Sequence, residues 1–166
     1  VGQELSTAEL SDLHKVYTSS KCYNFALRYL AIRPRSIKEV RDYLLRKNFS
    51  EGDTDAAISR LTEHNYLNDQ DFALLWVQNR MRLNPKSVTV LRAELLKKGI
   101  SKDIISGVLA TLSQSDQLES VIKIIESKAH QSRYQQKQKM IEYLARRGYS
   151  YTLIKEALSS VSFYQE

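Results

Sequence analysis

Arg35-Ser36-Ile37-Lys38-Glu39-Val40-Arg41-Asp42-Tyr43-Leu44-Leu45-Arg46-Lys47-Asn48-Phe49-Ser50 is the stretch whose reading decides the fold. Ser36 is suited to N-cap a helix, and Glu39, three residues on, closes a capping box. Ile37, Val40 and Leu44 recur at helical spacing and give the helix one apolar stripe. Lys38, Arg41, Arg46 and Lys47 occupy its outer face, the last two where the helix dipole is negative. The stretch reads as a short amphipathic helix with a basic back.

The same helix returns at Lys86-Ser87-Val88-Thr89-Val90-Leu91-Arg92-Ala93-Glu94-Leu95-Leu96-Lys97-Lys98-Gly99-Ile100-Ser101. Ser87 stands for Ser36, Val88 for Ile37, Leu91 for Val40, Leu95 for Leu44, and Lys97-Lys98 for Arg46-Lys47. A weaker third copy runs from Gln136 through Met140, Leu144 and Arg146-Arg147 to Ser150. The copies are offset by 51 residues (Leu44 to Leu95) and 49 (Leu95 to Leu144). Periods of this size mark a repeat architecture in which each unit is one supersecondary module.

Composition narrows the class. The 166 residues include only five Gly and two Pro, so an all-α chain is expected. A single cysteine, Cys22, excludes an internal disulfide framework, and the scattered His14, His64 and His130 offer no metal-ligand spacing. No apolar run reaches the length of a membrane span, and the reading is cytoplasmic. Val1 in place of an initiator Met fits a fragment or a processed product. There is no Gly-rich phosphate loop and no nucleophile motif, so neither an enzyme nor a cofactor is expected. The net charge of +6 favours a polyanionic partner, nucleic acid first. The ten tyrosines read as packing at helix ends rather than as a base-stacking platform, because they do not cluster along the chain.

Taken in order, 1–20 is an N-terminal segment in which Ser6 and Glu9 cap a short helix. Residues 21–66 form the first three-helix repeat, with Tyr23, Ala26, Leu27 and Leu30 as a core stripe, Pro34 as the stop and Ser36 as the next start. Glu51-Gly52-Asp53 reads as a turn, with Asp53 or Thr54 capping a third helix. Residues 67–113 form the second repeat, opened by Asn68 as a cap and continued after Ser87 and Ser101. Its third helix is read as lacking four residues of the first repeat's turn. Residues 114–166 form the third, opening at Ser115 or Asp116, passing a polar stretch at 130–136 and closing with a helix capped by Ser150. Three tandem three-helix, helix-turn-helix-like repeats should share core with their neighbours in an all-α, elongated array, straight or curved.

Charge follows the repeats. Arg33, Arg35, Lys38, Arg41, Arg46 and Lys47 gather in the first. Arg80, Arg82, Lys86, Arg92, Lys97, Lys98 and Lys102 echo them in the second. Arg133, Lys137, Lys139, Arg146 and Arg147 do so in the third, and of these Arg146 and Arg147 match the paired cations of the other two helices. A solvated helix face is the ordinary role for any one such set. Recurrence in three units favours a partner-binding or nucleic-acid-binding face instead. Cys22 beside Lys21 reads as an ordinary helix residue rather than a reactive thiol.

These residues reach a family. The Arg33-x-Arg35-Ser36 turn with Glu39, the Asn65-Tyr66-Leu67-Asn68-Asp69…Phe72-Ala73 junction, and Glu94-Leu95-x-x-Lys98-Gly99-Ile100 together resemble the RecX regulatory proteins. The resemblance covers Tyr23 to Leu158, in order and at matching spacing. Asn48 and Asn84-Pro85 depart from it where glycine is common in the family, and the third repeat lacks the Ser-plus-apolar start of its second helix. The resemblance implies a regulator that binds RecA recombinase filaments on single-stranded DNA and inhibits their growth, ATPase and strand exchange, and a monomer is expected. Recombination, DNA repair and the SOS response would be its setting. It implies three-helix units lying in the filament groove. The many Lys and Arg without a concentrated base-reading set separately predict weak, sequence-tolerant contact with single- or double-stranded DNA, and the lack of a spanning run predicts no membrane contact.

Two other classes compete. A capped basic helix in a three-helix unit also suits a helix-turn-helix transcription regulator. Ser36 and Ser87, however, are poor material for reading bases at a helix start. A scaffold for an acidic protein with no link to DNA is the third class.

Overall fold

In the computed structural model, which describes residues 6–162, the regular structure is nine α-helices and one 3-10 turn, with no strand among the described residues. The chain divides into two compact units, Val1–Phe72 and Ala73–Glu166.

The first unit holds α1 (Thr7–Ile32), α2 (Ile37–Arg46) and α3 (Glu51–Glu63). Ser6 caps α1 as expected: its hydroxyl accepts the Glu9 N–H and the Glu9 carboxylate accepts the Ser6 N–H at 2.8 Å. The separate N-terminal helix does not exist, because α1 runs unbroken through Lys21. No Gly or Pro interrupts it, and the Thr18 hydroxyl folds back onto the His14 carbonyl at 2.9 Å without breaking the ladder. Pro34 ends it. Ser36, fully buried, closes the predicted box with Glu39 and starts α2.

The expected turn at Glu51-Gly52-Asp53 is already helix. Ser50 is the cap, its hydroxyl accepting the Asp53 N–H at 3.1 Å, and Gly52 sits inside the first turn. Ser50 thus matches Ser101, the cap of α6. The four extra residues of α3 extend its far end, giving 13 residues against 9.

Cys22 and Ala26 of α1, Val40 and Leu44 of α2, and Ala57, Ile58 and Leu61 of α3 meet in one core with Leu67. Full burial of side chains such as Leu44 and Leu61 contributes about 1.5–3 kcal/mol each before entropy is counted. The Asp69 carboxylate accepts the N–H of Ile37 at 2.9 Å and so satisfies an amide of the first turn of α2.

The unit boundary falls within α4 (Asp69–Leu83), capped by the Asn68 side chain, which accepts the N–H groups of Gln70 and Asp71. The second unit continues with α5 (Val88–Lys97), α6 (Lys102–Ala110), α7 (Gln114–Ala129), the 3-10 turn Ser132–Tyr134, α8 (Lys137–Arg146) and α9 (Tyr151–Ser160). Ser87, Ser101 and Ser150 cap their helices as read from the sequence. The third repeat opens earlier than expected, because Ser113 and Asp116 form a full capping box ahead of Ser115. Gln136 gives α8 no side-chain cap, so the degraded start is real. Val121, Ile125, Met140, Leu144, Ile154 and Leu158 are the buried centre of the third repeat. Ser87 also joins the second repeat to the third, its hydroxyl donating to the Arg147 carbonyl at 2.8 Å.

Candidate functional site

The three basic helices end in one way. Asn48, Gly99 and Gly148 take left-handed φ values of 62°, 82° and 81°. In each case the next residue's N–H reaches back across the turn: Phe49 to the Leu44 carbonyl, Ile100 to Leu95, Tyr149 to Leu144. This is a Schellman termination, with the apolar residue after the turn beside the buried leucine it bonds to. The turn therefore fixes the two residues before it, which are Arg46-Lys47, Lys97-Lys98 and Arg146-Arg147. Arg46, Lys47, Lys97 and Arg146 are exposed, while Lys98 and Arg147 are half-buried. Each helix carries these cations at its carbonyl end, where the dipole favours them.

The structure brings aromatic rings to these cations. In the first unit the Arg35 guanidinium lies 4.0 Å from the Tyr29 ring centre, and Tyr29 stacks on Tyr43 at 3.9 Å with the planes 6° apart. The Lys47 ammonium stands 5.8 Å from Tyr43. The Arg35 Nε is buried without a hydrogen-bond partner, so the ring face is what compensates its desolvation. In the second repeat Trp76 has Arg80 at 4.6 Å and Lys98 at 4.9 Å. One oxygen of Glu94 takes both the indole N–H and the Arg80 Nε–H, at 2.8 and 2.9 Å. In the third, Arg147 covers Tyr143 at 5.3 Å and donates to its hydroxyl, and Tyr143 packs on Tyr134 at 5.0 Å. Lys47 on Tyr43, Arg80 on Trp76 and Arg147 on Tyr143 are neighbours four residues apart on one helix, whereas Tyr29 on Tyr43 and Lys98 on Trp76 meet between helices, where spacing does not reveal them.

Arg33, Arg41 and Arg80 of the expected site each meet a carboxylate of the fold. Arg33 grips the capping-box carboxylate of Glu39 at 3.0 Å and the Pro34 carbonyl at 2.8 Å. Arg41 pairs with Asp55 at 2.5 Å, and Arg80 with Glu94. Lys38, Arg82 and Arg92 are exposed, and Lys86 is half-buried. Lys123 and Lys128 of α7, outside the repeat pattern, share a groove with Arg82 and Arg147. Their only signal in the sequence is that they flank the apolar stripe of α7.

Cys22 is fully buried, and burial first, with the Asp53 charge second, pushes its thiol up to about 11. It is not a reactive thiolate at neutral pH. No His, Cys, Asp and Glu group able to hold a metal occurs among the described residues. No described helix is long and apolar enough to cross a membrane.

The chain matches three family descriptions in order: RecX first three-helix domain over residues 22–61, second over 68–109 and third over 115–158. A relative named Regulatory protein RecX from Halalkalibacterium halodurans is 36% identical over 150 residues, covering 88% of this chain and 56% of that protein. The Bacillus subtilis protein of the same name is 33% identical over 166 residues, covering 98% of this chain and 63% of its own. The chain therefore spans little more than half the length of these relatives. The crystal structure of RecX from Lactobacillus salivarius superposes with a TM-score of 0.78 at 29% identity, covering 87% of this chain and 97% of that one. A second crystal structure, of regulatory protein RecX, has a TM-score of 0.81 over 95% of this chain and 81% of its own, and at 20% identity it attests the fold alone. With three tandem family domains covering more than half of its length, the chain belongs to the RecX family of regulatory proteins.

Proposed function

We propose that this chain is a cytoplasmic, monomeric regulator that binds RecA filaments on single-stranded DNA and inhibits filament growth, ATPase and strand exchange. The observation that carries this reading is the recurrence of one device. A Ser or Gln start, a buried apolar stripe, a Schellman end and a terminal pair of cations appear at 51- and 49-residue intervals. A repeating cationic array meets a partner whose acidic or nucleic-acid surface also repeats more than once. Linked contacts of matched spacing raise apparent affinity well beyond either alone. A filament has that repeating surface, and a single operator sequence does not.

The first two repeats dominate in this reading, because α2 and α5 keep their serine caps and α8 has lost its own. DNA contact without RecA is weak, sequence-tolerant and salt-sensitive, since the cations are spread rather than focused on base edges. No catalysis is proposed. The discriminating experiment is RecA ATPase on single-stranded DNA as the chain is added, alongside a variant carrying Arg46→Glu, Lys47→Glu, Lys97→Glu and Lys98→Glu. The parent should depress turnover, and the variant, confirmed as folded by circular dichroism, should depress it far less. Equal inhibition by both would reduce these faces to ordinary solvated surface. A strong preference for one duplex sequence at physiological salt would favour a transcription regulator instead.

A further inference from the structure

The groove that Lys123 and Lys128 enter has a volume of about 440 Å³ and lies wholly within the second unit. It is walled by the end of α4 and its Asn84-Pro85 turn, by α7, and by the end of α8. Four cations face it, Arg82, Lys123, Lys128 and Arg147, and no carboxylate lines it. Arg147 is fixed there by neutral acceptors, the Tyr143 hydroxyl and the Asn84 side-chain oxygen at 3.4 Å, so its charge is positioned without being cancelled. Lys123 does pair with Glu119 at 2.6 Å, but both side chains are nearly two-thirds exposed, and such a pair yields readily to a competing anion. Between the cations Leu83, Pro85 and Ile124 give the lining an apolar strip, beside the polar Asn84 and Ser127. Leu83, 73% exposed, stands at the mouth beside Pro85 and Ile124.

We propose that this groove binds a short stretch of single-stranded nucleic acid, with backbone phosphates on Arg82, Lys128 and Arg147 and unpaired bases against Leu83 and Pro85. A ligand that alternates charge with flat apolar bodies matches a lining that does the same. An acidic peptide would satisfy the cations but leave the apolar strip uncovered. A base-paired duplex keeps its bases stacked inside and is too wide to enter a concavity of this size. The site deepens the nucleic-acid part of the proposed function. It needs no RecA, so its failure and the failure of the filament contact are separately visible.

The test is fluorescence anisotropy of a labelled oligo-dT with the full chain and no RecA, over a range of salt. Arg82→Glu and Lys128→Glu are each compared with Lys155→Glu, an equal change of charge on an exposed position of α9 outside the groove. Each groove variant should lower affinity severalfold more than Lys155→Glu. Each should also flatten the slope of log affinity against log salt by about 0.7, one phosphate contact to a single strand. Equal losses from groove and control variants would overturn the site. Tighter binding of a duplex of the same length, or displacement of the oligonucleotide by poly-glutamate more effectively than by unlabelled oligo-dT, would overturn the assignment of its ligand.

Discussion

Gly148→Ala tests the joint between the second and third repeats. Gly148 has φ +81°, which an L residue adopts at a cost of about 1–2 kcal/mol. A Cβ there would also stand 2.7 Å from the Ser87 hydroxyl oxygen. That hydroxyl caps α5 by accepting the Val90 N–H and donates to the Arg147 carbonyl, so displacing it costs a cap, about 1 kcal/mol. The expected loss is therefore about 2–3 kcal/mol. In a Ser87→Ala background the hydroxyl is gone, and Gly148→Ala should cost only the conformational share, leaving a coupling of about 1 kcal/mol in the double-mutant cycle. Urea unfolding followed by fluorescence of Trp76, the one tryptophan and a residue of this unit, is the assay. Gly107, inside α6 with open space around its Cβ position, is the control and should gain about 0.5–1 kcal/mol on substitution by alanine. Strict additivity of Gly148→Ala and Ser87→Ala would refute the close approach on which the joint depends.

Two further outcomes follow from buried polar groups. Burial raises the Asp69 carboxyl above its ordinary value, with the Ile37 N–H opposing. The folded state thus holds the Asp69 proton more tightly, and this contribution to stability is complete below the unfolded value and is lost as pH rises through the folded one. Asp69→Asn keeps an acceptor for Ile37 and should gain on the parent as pH rises from acid to neutral, whereas Asp69→Ala, which leaves that N–H without its acceptor, should cost about 1–2 kcal/mol at acid pH and less as pH rises. Denaturation midpoints across pH read both. Tyr149, in the third-repeat core, has a hydroxyl with no hydrogen-bond partner and is pushed up to about 12 by burial. Tyr149→Phe removes that orphan and should raise stability by about 1 kcal/mol in the same assay.

What the sequence makes legible is what is decided within a few residues. Ser36 with Glu39, Ser6 with Glu9, Asn68, Ser87, Ser101 and Ser150 all cap as their spacing indicates, because the bond closes inside one turn. Where two neighbouring polar groups compete, spacing misplaces the start. Ser50 wins over Asp53, and Ser113 over Ser115, because each of these serines reaches the N–H three residues on. The continuity of α1 is hidden because Ser, Thr and Lys around residue 20 look like a boundary, yet nothing there breaks a helix. The site is legible only in part. Recurrence singles out Arg46-Lys47 and Lys97-Lys98 as candidates, but it cannot show that Arg33, Arg41 and Arg80 meet carboxylates. Nor can it show that Tyr29 stacks on Tyr43, or that α7 sends lysines into a groove made by α4 and α8. Those pairings are set by tertiary packing between helices whose separation no period encodes.

The most direct measurement for the central claim is sedimentation of the chain with single-stranded DNA, with and without RecA and a slowly hydrolysed nucleotide, at physiological salt. The account predicts that the chain pellets with RecA filaments and stays largely in the supernatant with DNA alone. Charge reversal at Arg46, Lys47, Lys97 and Lys98 should return it to the supernatant in both cases. A chain that fails to pellet with filaments, or pellets equally well with DNA alone, would contradict the claim that these repeats bind a RecA filament.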